Sequence, residues 1–175
     1  ADAAALTAVT PFGPPVVVPL ADVVGVDVFG GKAVPLSDLT PTATTEPFNG
    51  LAWPWAADRG VKGGPLRLPS PAGEQTFDRG LGTHPRTTLT YDLNGKYRRF
   101  EATVGLDPVT GRQGAAVVRV RVDGADAGEW PLTAGTATPI AAEVATAKRL
   151  TLVTDFGPAG DVQADVNWGD ARLIE

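Results

Sequence analysis

Apolar and polar residues alternate with a period of two through much of the second half of the chain. In "TTLTYDL", Leu89, Tyr91 and Leu93 fall on one face, opposite Thr88, Thr90 and Asp92. "FEATVGLD" aligns Phe100, Ala102, Val104 and Leu106, and "AAVVRVRVDG" sets Val118, Val120 and Val122 against Arg119 and Arg121. "KRLTLVTDF" repeats the pattern at Leu150, Leu152 and Phe156, and "VQADVNWGDARLI" at Val162, Ala164, Val166 and Trp168. Successive side chains of a strand point to opposite faces, so each segment reads as a half-buried strand. "AGEWPLT" reads as a strand edged by Pro131, Ile140–Val144 as another, and Asn94-Gly95 as a tight turn leading into Phe100. Short alternating strands without helical crossovers predict an all-β fold, an antiparallel β-sandwich.

Upstream the pattern is weaker. Residues 1–15 read as a flexible lead, because "TPFGPP" interrupts any helix. "VVVPLADVVGVDVFGGKAVPL" reads as short β segments turned at Gly30 and Gly31. We divide the chain into an extension over 1–35, either an added hairpin or the end of a preceding domain, and a β-sandwich over 36–175. "SDLTPTATTEPFNG" reads as a linker or long surface loop, and Leu51–Asp78 as a long aromatic, turn-forming stretch of the kind that carries function.

Composition narrows the chemistry. With 175 residues there is room for one substantial core. No cysteine is present, which excludes disulfides, thiolate catalysis and zinc–thiolate sites. A net charge of −5 argues against a nucleic-acid surface, and no apolar run is long enough for membrane insertion. The alanine-rich start without methionine is expected of a processed chain or a piece of a longer one. The single histidine, His84, rules out a histidine-rich metal site, and neither Ser37 nor Ser70 lies in a nucleophile-elbow context. No pair of carboxylates is marked out as straddling a scissile bond, so the chain is expected not to be an enzyme.

"GLGTH" together with "YDLNGKYRRFEATVGLD", then "LTLVTDF" and "NWGDARL", resembles the NPCBM family of carbohydrate-binding modules, over about Val34 to Glu175 and in the expected order. "WPWAADRGVKGGPLRL" is also similar to the segment that precedes the glycine-rich block in this family. The resemblance implies a jelly-roll-like sandwich with long connecting loops, recognising a glycan or polysaccharide at one edge. It further implies attachment to an adjacent domain of a larger parent protein, and an extracellular, periplasmic or cell-surface location. Related modules point to a galactose-like terminal sugar. One departure stands out: many relatives carry an acidic residue followed by histidine where this chain has Ala164 and Asp165.

A sugar offers apolar C–H patches and a rim of hydroxyls, so its site needs an exposed aromatic ring and convergent polar groups. Trp53, Trp55, His84, Arg86, Asp165, Asn167 and Trp168 are the candidates. Trp53 and Trp55 would face opposite ways in an extended segment. His84 is either a hydroxyl partner or a loop anchor between Gly82 and Pro85, and Arg86 either bridges hydroxyls or pairs with Asp165. Trp168 is expected in the core or as a site floor, with Asn167 facing away from it to meet ligand. No cofactor is expected; structural calcium is the candidate metal, on Asp155, Asp161 and Asp165. The rival reading is a structural or protein-interaction β-sandwich without sugar binding.

Overall fold

A computed structural model describes residues 5–9, 13–23 and 32–175. The chain divides into two compact units, Ala1–Gly31 and Lys32–Glu175. In the first, β1 (Ala5–Ala8) pairs antiparallel with β2 (Val16–Pro19). The stretch expected as a flexible lead therefore supplies a strand. The turn expected at Gly30 and Gly31 lies outside the described residues.

The second unit contains β3 (Ala33–Pro35), β4 (Thr42–Thr45), β5 (Ala56–Ala57), β6 (Leu66–Ser70), β7 (Gly73–Phe77), β8 (Gly80–Thr83) and β9 (Thr87–Asp92). It continues with β10 (Arg99–Leu106), β11 (Ala115–Val122), β12 (Ala125–Thr133), β13 (Ala137–Glu143), β14 (Arg149–Phe156) and β15 (Val166–Ile174). One sheet runs β13-β10-β15-β8-β5, with β3 also on β15; the other runs β12-β11-β14-β9-β4. All these ladders are antiparallel. From β9 onward the chain passes repeatedly between the sheets, as expected of a jelly-roll-like β-sandwich.

The alternation read from sequence is the core. Leu89, Tyr91, Leu93, Phe100, Val104, Val118, Val120, Leu150 and Leu152 are buried in one cluster with Trp168. Pro131 sits on β12, an edge strand, where its missing N–H costs no ladder bond in the sheet interior. Asn94 and Gly95 both have positive φ, 52° and 67°, as a tight turn demands. They join strands of different sheets and do not close a hairpin. The supposed linker is integral: Leu36 is fully buried and β4 forms the edge of the second sheet, Ala43 opposite Leu89. At the other boundary, β3 pairs with β15, Val34 opposite Leu173.

Two features position the loops. The β6–β7 hairpin lies over the outer face of the first sheet as a third layer. A Cβ on Gly169 would meet the Phe77 ring at 2.7 Å, and Leu66 and Leu68 are fully buried outside the main core cluster. A buried hydrogen-bond relay then ties the two sheets together. The Trp168 indole N–H donates to Thr83 Oγ1 at 3.0 Å, and the Thr83 and Thr154 hydroxyls are 2.9 Å apart. Pairing of this kind offsets the cost of burying the two hydroxyls and the indole N–H.

Candidate functional site

At one rim, the segment following the Trp53-Pro54-Trp55 triplet folds back over β8. Asp58 N–H donates to Gly80 O, and Gly60 N–H to Gly64 O. A Cβ on Gly82 would lie 2.4 Å from Arg59 O, so only glycine lets the loop settle against the strand. The loop encloses an open groove of about 520 Å³ lined by Trp53, Pro54, Trp55, Ala56, Arg59, Val61, Lys62 and Gly63. Residues 52–55 are irregular, not extended. Trp53 and Trp55 thus line the same groove, against the expectation of opposite faces. Trp55 also packs on the core, whereas Trp53 does not, and Trp53 is half-buried.

The Trp53 ring has Lys62 Nζ over it at 5.8 Å and the His84 ring at 6.0 Å, distances typical of a cation–π contact and a loose aromatic pair. The aromatic row continues from His84 to Phe156 at 6.4 Å and from Phe156 to Phe48 at 4.8 Å. His84 is only 7% exposed and both ring nitrogens are occupied: Nε2 lies 2.8 Å from Asp161 Oδ1 and Nδ1 3.1 Å from Pro85 O. It fastens the Asp161 loop to the start of β9. Arg86 does the same for the Glu46 loop. Its φ of 68° is a left-handed conformation, held by Arg86 N–H donating to Thr154 O and by Glu46 N–H donating to Arg86 O. Its guanidinium pairs with Glu46 and donates to Pro47 O, not with Asp165.

Below the groove floor lies a polar cluster. Asp165 is 3% exposed, and Lys62 Nζ stands 2.9 Å from its Oδ2 as an ion contact outside hydrogen-bond geometry. Asn167, expected to face ligand, is 1% exposed. It does point away from Trp168, but that face of β15 is covered by the β6–β7 hairpin, and Asn167 Nδ2 donates to Arg67 O at 2.9 Å. Asp107 completes the cluster, accepting from Val109 N–H at 3.0 Å. Burial, reinforced by the Asp165 charge, pushes the Asp107 carboxyl above its usual range despite opposing contacts from Val109 N–H, Asn167 and Lys62.

The candidate aspartates do not converge on a metal. Asp155 pairs with Arg119 at 3.4 Å, Asp161 with His84 and Asp165 with Lys62. Among the described residues no three His, Cys, Asp or Glu side chains form a metal-binding group. Val162, expected inward, is 52% exposed, because β15 begins only at Val166. Arg59 and Lys62 were not among the sequence candidates. Their signal was two cations in a glycine-flanked turn, "RGVKGG", directly after the tryptophans.

A second groove, of about 370 Å³, lies on the first sheet between β10, β13 and β15. Its charges satisfy one another: Arg99 bonds Glu101 at 2.8 Å and Glu143 at 2.7 Å, and Arg172 bonds Glu101 at 3.1 Å and also pairs with Asp170.

Comparison with known proteins gives the site a context. A CBM51 module of Clostridium perfringens ZmpB, solved in complex with GlcNAc and with INT domains, is 27% identical with a TM-score of 0.74. It aligns with 82% of this chain and 32% of that one, so the present chain spans about a third of that fragment. The CBM51 of Clostridium perfringens GH95, in complex with methyl-galactose, is 25% identical with a TM-score of 0.73, covering 81% of this chain and 99% of that one. Tandem CBM51 modules of a Streptococcus pneumoniae family 98 glycoside hydrolase, 22% identical with a TM-score of 0.70 over 82% of this chain and 47% of that one, share the fold. No curated protein sequence matches. The NPCBM/NEW2 domain profile matches residues 32–174, the whole of the sandwich and the loop that carries the Trp53 groove, and the chain belongs to the NPCBM/NEW2 domain family.

Proposed function

We propose that the sandwich is a noncatalytic carbohydrate-binding module and that the Trp53 groove is its glycan-contacting surface. The observation that carries this reading is a half-buried indole lining an open rim groove beside donor-rich side chains. Apolar surface removed from water contributes about 1 kcal/mol for each ~40 Å². A pyranose ring laid against Trp53 would draw on that term, while Arg59 and Lys62 offer N–H groups to its hydroxyls. Among the described residues no carboxylate lines the groove; Asp165 lies beneath it, tied to Lys62. The site is thus built to hold a sugar and lacks a pair of acids across a bond.

Relatives solved with methyl-galactose and GlcNAc support a hexose, with a galactose-like terminal sugar as the first ligand to try. The glycoside hydrolase context of such modules supports attachment to a larger protein acting outside the cytoplasm, where holding substrate raises its local concentration. Screening the folded chain on a broad glycan array beside Trp53→Ala tests the reading. Saturable binding lost in the variant supports it; no binding by the parent protein overturns it in favour of an interaction domain.

A further inference from the structure

Resting on the reading of the Trp53 groove as a glycan site, we propose that its preferred sugar is acidic, bearing a carboxylate or sulfate ester that Arg59 receives. Among the described residues two cations, Arg59 and Lys62, line the groove, and no acidic side chain does. They are not equivalent. Lys62 is balanced by Asp165 directly beneath it, at 2.9 Å.

Arg59 has no carboxylate partner among the described residues. Its sequence neighbour Asp58 is committed elsewhere, with Oδ2 3.0 Å from Arg79 Nη1 and Oδ1 accepting from Gly80 N–H at 3.0 Å. In contrast, Arg79, Arg86, Arg99, Arg119 and Arg172 each engage an acidic side chain. An exposed guanidinium that no described carboxylate engages, beside two indoles in a chain of net charge −5, is a local positive site in a negative field.

The backbone beneath Arg59 is fixed, because its carbonyl packs against Gly82 where no side chain fits. The guanidinium fork is therefore presented from a set base, and a planar or tetrahedral oxyanion can accept two of its N–H donors at once. A neutral hydroxyl also accepts a charge-assisted hydrogen bond, but it brings no opposite charge and no second oxygen matched to the fork. The second groove contains more arginine but cannot serve this purpose, since its guanidinium groups already hold Glu101, Glu143 and Asp170.

The test is an NMR titration of the full chain with methyl β-galactoside, galacturonic acid and galactose 6-sulfate at low ionic strength. At least one acidic sugar is expected to bind about fivefold more tightly than the methyl galactoside. The advantage should shrink towards unity in about 0.5 M sodium chloride, where the screening length is only a few ångströms. Arg59→Ala should remove the acid-to-neutral ratio and Arg59→Glu should invert it, while Arg98→Ala, an exposed arginine away from the groove, should keep it. Whichever acidic sugar leads identifies carboxylate or sulfate as the anion. Equal or tighter binding of the neutral sugar overturns the acidic preference and leaves carbohydrate binding standing. An acid preference that survives Arg59→Glu overturns the assignment to Arg59. Binding of none of the three sugars overturns both this inference and the choice of a galactose-like ligand.

Discussion

The two grooves of the sandwich invite comparison because both are open, both contain arginine and both lie on the same unit. The groove over β10, β13 and β15 is the more highly charged, yet its acids and bases are bonded to one another, so a ligand would have to break those contacts before forming its own. The Trp53 groove has fewer charges among the described residues, two indoles and a guanidinium that no described carboxylate engages. On the proposed reading, recognition follows from unspent capacity rather than from the number of polar groups.

The largest expected effect falls on Trp53. Trp53→Ala should weaken glycan binding at least tenfold, about 1.4 kcal/mol or more, with little loss of thermal stability, because the indole lies outside the core cluster. Arg172→Ala in the other groove should leave glycan affinity unchanged in the same titration; a matching loss there would erase the distinction between the grooves. Next in size is Gly82→Ala. The added methyl would run into Arg59 O, displacing the loop or straining β8. We expect a loss of about 1–3 kcal/mol in chemical denaturation, together with reduced binding.

Smaller effects separate the grooves by pH. Burial holds the folded Asp107 carboxyl above its ordinary value of 3.8, so its ionised form weakens the fold. Asp107→Asn keeps an acceptor for Val109 N–H and removes the buried charge. Its advantage over the parent should be present at neutral pH and fade as pH falls through the raised folded pKa, vanishing below about pH 3.8. Glu101 behaves oppositely. Its hydrogen bond from Arg99, aided by Arg172, lowers its pKa below 4.5, so the stability it adds is present above that value and lost as pH falls through the folded pKa. Glu101→Gln should therefore cost stability only on the neutral side, and least of all these changes, because the site is solvent-screened. Melting curves of both variants from neutral to acidic pH would check the opposing signs.

Much of the sandwich was legible because β9, β10, β11 and β14 alternate with a period of two over most of their length, and Leu89, Val104, Val120 and Leu152 occupy the interior that this period dictates. The site was less legible because it depends on a third layer. Asn167 was correctly assigned to the face opposite Trp168, but periodicity cannot show that the β6–β7 hairpin returns to cover that face. His84 and Arg86 carry chemistry suited to ligand, yet their polar atoms are taken by the neighbouring Pro85 carbonyl and by Asp161, Glu46 and Pro47, the last three reached across loops distant in sequence. The tryptophan pair was visible, but an irregular backbone brought the two rings to one groove. The glycine-flanked turn "RGVKGG" marked Arg59 and Lys62 alike, but nothing in the sequence separated the two, since the distinction comes from Asp58 turning to Arg79 and Asp165 lying against Lys62.

The account's central claim is that glycan contacts the rim at Trp53 and not the sheet face at Arg172. A 1H–15N NMR titration of the full chain with a glycan that the array identifies tests it most directly. The Trp53 indole N–H and the Arg59–Gly63 amides should shift together with one dissociation constant, while the Thr103, Asp170 and Arg172 amides stay in place. Shifts centred on Thr103, Asp170 and Arg172, with the Trp53 indole unmoved, would contradict it.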